Sequence, residues 1–241
     1  MGFGGGAFVA SPLSVMLMKH FSTETHIGVA ETFMVLGVVY FIVMMIGAML
    51  VRVPAEGWKP EGWTPPVVQN AMITTQNVHI VDAMKTPQFW LLWGVLCLNV
   101  TAGIGVLGQA SAMSQEMFPG RITPASAAGF VGLLSIFNML GRFFWASTSD
   151  YIGRKATYMC FFALGIVLYA IVPWSGQTGS IFFFVAFYAV ILSMYGGGFS
   201  TIPAYLRDVF GTRYVGAIHG RLLTAWSVAG VLGPVLVNYI R

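Results

Sequence analysis

Seven apolar runs, each close to twenty residues long, decide what this chain can fold into. They lie near 2–20, 29–51, 88–111, 125–147, 156–174, 179–203 and 214–240. An α-helix needs about twenty apolar residues to cross the hydrocarbon core of a bilayer, and there it must satisfy its own backbone hydrogen bonds. At 57% hydrophobic and 8% charged, with a mean hydropathy of +0.78, the chain has too little polar surface to coat a water-soluble globule. The runs are too long and too glycine-rich for the alternating strands of a membrane β-barrel. The expected fold is an all-α membrane protein of about seven transmembrane helices, whose 29 glycines suit close helix packing.

The net charge of +4 reports topology rather than nucleic-acid affinity, because the basic residues gather in alternate connections. Arg52, Lys59 and Lys85 follow the second run, Arg154 and Lys155 the fourth, and Arg207 and Arg213 the sixth. The opposite side carries Lys19, Arg121 and the terminal Arg241. By the positive-inside rule, 52–87, 148–155 and 204–213 are expected in the cytoplasm, with the N-terminus cytoplasmic and the C-terminus external. Met1-Gly2-Phe3-Gly4-Gly5-Gly6 has no basic n-region, so no secretory signal is read there. Gly6 stands where a myristoylation motif wants Ser or Thr. The one long polar connection, 52–87, holds Pro54, Gly57, Pro60, Gly62, Pro65 and Pro66, a composition that resists regular helix and suits a linker between bundles.

Between the fourth and fifth runs, Gly141 through Lys155 join two apolar stretches with a short, charged turn. Gly153 is the expected turning residue, at a left-handed angle. Asp150 is placed to accept hydrogen bonds from a helix N-terminus or to pair with a basic side chain. Asp150, Gly153, Arg154 and Lys155 match the D-x-x-G-R-K core of the loop that recurs in the major facilitator superfamily, with Ala146 in place of the usual glycine. That resemblance implies two six-helix halves related by a parallel repeat. Gly2, Gly4, Gly5, Gly6 and Ser11-Pro12 in the first run then answer Gly230, Gly233 and Pro234 in the last, as helices five and eleven. The expected organisation is 1–51, the last two helices of an N-terminal bundle; 52–87, a cytoplasmic linker; and 88–241, a C-terminal bundle lacking its final helix. Within the superfamily the chain most resembles the oxalate:formate antiporter family, on Thr86 through Trp90, Asn138 through Lys155 and Arg207 through Thr212. A bacterial inner (plasma) membrane location is expected.

A charge inside a span costs about a few kcal/mol or more, which marks Arg142 and Arg221 as functional candidates. Both are expected some two helical turns from the cytoplasmic boundary, where paired guanidinium groups would clasp a small carboxylate. Asn138 lies one turn before Arg142 and is placed to orient it or to touch substrate. Tyr195 and Phe199 share a helix face beside Gly196-Gly197-Gly198, a run that either bends the helix or admits close neighbours. The resemblance implies that Arg142 contacts the anion and that Tyr195 and Phe199 wall the pocket. It also places Trp226 where the family carries a second cation, a lysine. Oxalate is therefore not the expected substrate; a monocarboxylate or another dicarboxylate is. Asn99 and Gln109 are weaker candidates, Glu31 reads as an interfacial charge, and no membrane-centred carboxylate is seen.

Cys97 and Cys160 lack metal or disulfide spacing and are expected to pack. His20, His26, His79 and His219 form no ligand cluster, so neither metal nor cofactor is expected. No nucleophile–base set suggests an enzyme. Lys19, Lys59, Lys85 and Lys155 all fall at ends or in loops, which argues against a retinal Schiff base in a span. The expectation is a secondary active transporter of small organic anions working by alternating access, with antiport as one mode. Its partners would be a small carboxylate and the lipid bilayer, with no nucleic acid. The alternative is an incomplete transporter without independent activity, which needs the missing N-terminal helices.

Overall fold

The structure, a computed structural model, describes residues 2–55, 57–62 and 73–240. Pro65 and Pro66 of the expected linker lie outside the described residues. The elements are α1 (Gly2–Phe21), α2 (Val29–Leu50), α3 (Ile80–Ala83), α4 (Pro87–Met117), α5 (Pro124–Ile152), α6 (Arg154–Gln177), α7 (Ile181–Phe210), α8 (Val215–Leu222) and α9 (Thr224–Ile240). Among the described residues there is no strand. Among the described residues, six segments are long and apolar enough to cross a membrane: α2, α4, α5, α6, α7 and the joined Val215–Ile240. The first run forms its helix, but its glycines, Ser11, Pro12 and Lys19 dilute its hydropathy.

The helix starts follow from sequence. Thr86 caps α4 by accepting the Phe89 N–H, Thr123 caps α5 by accepting that of Ser126, and Ser180 caps α7 by accepting that of Phe183. Pro87 and Pro124 then occupy the first helical turn, where a missing N–H costs nothing. At their C-terminal ends α4, α5 and α7 outrun the expected spans, by six, five and seven residues. The final run is interrupted at Leu223, whose N–H bonds back to His219 and Arg221.

The chain divides into two compact units, Leu13–Asn70 and the combination of Met1–Pro12 with Ala71–Arg241. In the smaller unit, Gly28 turns the chain at φ 71° before α2, and the Thr32 hydroxyl donates to the Gly28 carbonyl at 2.8 Å. Only Thr32 and Leu36 of α2 are buried, while Phe33, Phe41, Ile42 and Met44 are exposed. Such a face is a liability in water and ordinary against lipid tails.

In the larger unit, α5 packs most extensively on α7, and α4 on α9. A Cβ on Gly196 would collide with the Asn138 backbone carbonyl of α5, and one on Gly197 would come within 2.6 Å of Trp145. A Cβ on Gly198 would collide with the Asn99 amide of α4. The triple glycine is therefore a site of close approach to two different helices, within an unbroken α7. At the α4–α9 crossing, Gly105 and Gly233 meet in the same way, with Cβ-to-backbone approaches near 3 Å. Trp93 Nε1 donates to Thr224 Oγ1 at 2.9 Å, and Gln109 Nε2 to Asn238 Oδ1 at 3.2 Å, tying both halves of that crossing. Gln109 thus joins two helices. Residues up to Pro12 of α1 lie on α5, where Ser135 Oγ donates to the Gly4 carbonyl at 2.7 Å.

Cys97 is buried, as expected, but Cys160 is exposed on α6 and does not pack within the protein. The helix turns it outward, and lipid is an adequate partner for a thiol.

Candidate functional site

Arg142 sits ten residues before the end of α5, about 15 Å inside it at 1.5 Å per residue. Its guanidinium is half-buried, and Nε donates to Asn138 Oδ1, one turn earlier, at 3.4 Å. The guanidinium carbon stands 5.5 Å from the centroid of the Phe199 ring, in cation–π range. Tyr195 meets Phe199 edge-on at 5.3 Å, and Phe199 meets Trp226 edge-on at 5.6 Å. The result is one cation bordered by a continuous aromatic row from α7 and α9. Ser200 Oγ donates to the Arg142 carbonyl at 3.0 Å, and a Cβ on Gly4 would stand 3.0 Å from Arg142 Nε.

Five of the six expected binding residues, Arg142, Asn138, Tyr195, Phe199 and Trp226, are thus linked by successive contacts. Arg221 is not among them. It is exposed on α8, six residues from the start of that helix, and its Nη1 reaches Met84 Sδ at 2.9 Å. Among the described residues, no hydrogen bond or ring contact joins it to the Arg142 group. The expected pairing of Arg142 with Arg221 is thus not made by any contact among the described residues. The break at Leu223 separates α8 from the regular helix that carries Trp226.

Asn99 is buried against Gly198, and its Nδ2 finds no hydrogen-bond partner among the described residues. It lines a largely apolar cavity of about 380 Å³ with Gly103, Phe161, Tyr169, Met194 and Tyr195. Arg142 does not line that cavity. Among the described residues, no His, Cys, Asp and Glu cluster has the makings of a metal site.

At the turn, α5 and α6 are separated by Gly153 alone. Its φ of 87° is positive, as expected, but its ψ of 155° makes it extended rather than left-handed, in a region open essentially to glycine alone. Arg154 follows it and is only 5% exposed. Its Nη2 bonds Asp150 Oδ1 at 2.5 Å, its Nε bonds Asp208 Oδ2 at 3.1 Å, and its Nη1 donates to the Ser149 hydroxyl. Sequence reasoning expected Arg154 to be a surface charge. The structure makes it a buried clasp between the ends of α5 and α7, while Lys155 alone stays exposed. Asp208 was missed, although the signal was present: an acid at the end of one span facing the basic turn of another.

Gly211 repeats this geometry between α7 and α8, with φ 86° and ψ 177°. Thr74 N–H donates to the Asp208 carbonyl at 3.2 Å, Val78 N–H to that of Phe210 at 2.9 Å, and Arg213 N–H to Asn77 Oδ1 at 3.0 Å. The end of the 52–87 connection is therefore fastened to the α7–α8 turn.

The family model described as Major Facilitator Superfamily matches residues 1–234. The chain belongs to the major facilitator superfamily. It is an integral membrane protein of a transporter family. It is 28% identical to the oxalate:formate antiporter of Oxalobacter formigenes over 232 residues, covering 96% of this chain and 51% of that protein. It is 24% identical to the apicoplast pyruvate carrier 1 of Toxoplasma gondii, covering 91% of this chain and 48% of the carrier. An uncharacterized superfamily transporter of Escherichia coli (strain K12), YhjX, is 22% identical over 85% of this chain and 48% of its own length. The chain thus spans about half the length of the curated relatives it matches.

Proposed function

We propose that this superfamily member moves small organic anions, mono- or dicarboxylates, across a membrane by alternating access, with exchange of one anion for another as its mode. The observation that carries this reading is Arg142, a cation deep within a span, oriented by Asn138 and bordered by Phe199. A carboxylate is the ligand that rewards such a group, through charge-assisted and often two-pronged hydrogen bonds in a poorly hydrated setting. Tyr195, Phe199 and Trp226 would exclude water and favour a flat, small anion. Two relatives are named for small carboxylates, which supports the same class. A single central cation favours a monocarboxylate over a compact dianion. In this reading residues 1–51 belong to an N-terminal bundle and 88–241 to a C-terminal one. The 52–87 linker, the Gly153 turn and the Gly211 turn face the cytoplasm of a bacterial inner membrane.

The test is uptake of radiolabelled formate, oxalate, lactate and pyruvate into proteoliposomes. It compares the chain by itself, the chain supplied with the N-terminal half of the antiporter relative, and each form carrying Arg142→Ala. Saturable uptake that Arg142→Ala reduces at least tenfold is the expected result. Full uptake by that variant would remove Arg142 from the site, and no carboxylate uptake by any form would remove the substrate class.

A further inference from the structure

Ser200, Pro203, Ala204, Arg207, Thr212 and Val215 line a cleft of about 370 Å³ where α7 ends and α8 begins. A water takes up roughly 30 Å³, so the cleft has room for a small carboxylate and its hydration. Of these lining residues only Arg207 is charged. Its Nε is buried and has no hydrogen-bond partner among the described residues. The side chain as a whole is 37% exposed, so solvent reaches the cleft, and an anion entering it would satisfy this donor.

The neighbouring carboxylate does not fill this role. Arg207 Nη2 touches Asp208 Oδ1 only at 3.5 Å, whereas Asp208 Oδ2 accepts from the buried Arg154 at 3.1 Å. Asp208 thus meets Arg207 at Nη2 through one oxygen and Arg154 through the other, and leaves Arg207 Nε unmet. The cleft adds the Thr212 hydroxyl as a neutral donor, whereas that of Ser200 is already given to backbone carbonyls. It also borders the start of α8, where Tyr214 supplies no side-chain cap, so the positive end of an eight-residue helix lies beside it.

Ser200 holds this cleft against the α5 backbone at Arg142, because its Oγ donates to the Arg142 main-chain carbonyl. From Ser200 to Arg207 is seven residues, nearly two full turns, so both lie on one face of α7 about 10 Å apart. We propose that the Arg207 cleft is a second anion site, a waiting position that holds a small carboxylate between the Gly153–Gly211 end of the bundle and Arg142. This rests on the carboxylate reading of Arg142. Two guanidinium groups in series would let the anion pass from one partial partner to the next without meeting an uncharged stretch of the bundle.

The experiment is equilibrium dialysis of radiolabelled pyruvate against the full chain in detergent, counting sites for wild type, Arg207→Gln, Arg207→Lys and Arg142→Gln. Two sites are expected in wild type. Arg207→Gln and Arg142→Gln should each leave one, and Arg207→Lys should keep both within about threefold in affinity. Two sites persisting in Arg207→Gln would overturn the cleft assignment while leaving Arg142 intact. One site lost with Arg207→Gln but none lost with Arg142→Gln would keep the cleft and overturn the central reading. No binding in wild type overturns both. Inorganic phosphate emptying the Arg207-dependent site where carboxylates fail would assign it to a phosphate headgroup instead, against the proposal. Should Arg207→Gln not fold, Thr212→Val is expected to weaken the same site about threefold; unchanged binding there also overturns it.

Discussion

Arg142 and Arg154 stand twelve residues apart in the chain, yet their surroundings assign them different work. Arg142 is half-buried and set against an aromatic ring, with a neutral amide on Nε. Replacing Asn138 with Ala should lower carboxylate affinity severalfold while Arg142 keeps its charge, as binding isotherms would show. Arg154 is spent on structure. It is 5% exposed and Asp208 is 9% exposed, so removing the cation strands a buried carboxylate, at a cost of about 3–5 kcal/mol. Arg154→Ala should therefore sharply lower the unfolding temperature in detergent. Asp150, whose side chain is 63% exposed, is different. Solvent screens its pair with Arg154, and Asp150→Asn should cost no more than about 1 kcal/mol. Equal losses for the two variants would refute this division.

At the scale of elements, the glycines decide which helices meet. A methyl at Gly196 is driven into the rigid backbone carbonyl of Asn138, whereas one at Gly198 meets the end of the Asn99 side chain, which is able to swing away. Gly196→Ala should thus destabilise the α5–α7 contact by about 1–3 kcal/mol, with Gly198→Ala milder. Gly94, with nothing within 4 Å of its missing Cβ, is the control. Thermal unfolding of the three variants checks the order, and a Gly94→Ala loss as large as that of Gly196→Ala would contradict it. Because Asn138 sits at both the α5–α7 contact and the Arg142 hydrogen bond, Gly196→Ala should also weaken anion binding. Gly211 belongs to a second class, where backbone angles and space coincide: its φ is positive and the Gln76 carbonyl occupies the place of a side chain. Gly211→Ala should release the fastened end of the 52–87 connection, seen as faster amide hydrogen exchange at Val78.

For the whole molecule, the expected orientation makes a test that needs no substrate. With Cys97 and Cys160 replaced by Ser, single cysteines at Thr25 and at Lys59 should label from opposite faces of a sealed membrane with an impermeant maleimide. The Lys59 position should react only once the cytoplasmic side is opened. Reaction of both from the same side would overturn the topology. The Gly153 and Gly211 turns lie at one end, joined by the Arg154–Asp208 pair, and the Arg207 cleft opens beside them. Anion traffic through the proposed cleft therefore passes next to the clasp that holds α5 to α7.

The spans and the turn at Gly153 were legible in the sequence because each depends on residues close in the chain. Hydropathy needs only a window, and Asn138 meets Arg142 because they are one helical turn apart. Tyr195 and Phe199 were paired for the same reason. What the sequence left open is the rotation of each helix about its axis. Lipid tails are as apolar as the interior, so hydrophobicity does not choose which face turns inward. Only the tertiary structure decided that Cys160 points outward, that the three consecutive glycines serve two different helices, and that Arg221 reaches Met84 rather than the Arg142 group. It also paired Arg154 with Asp208, fifty-four residues away, because that contact depends on how two separate helices end side by side.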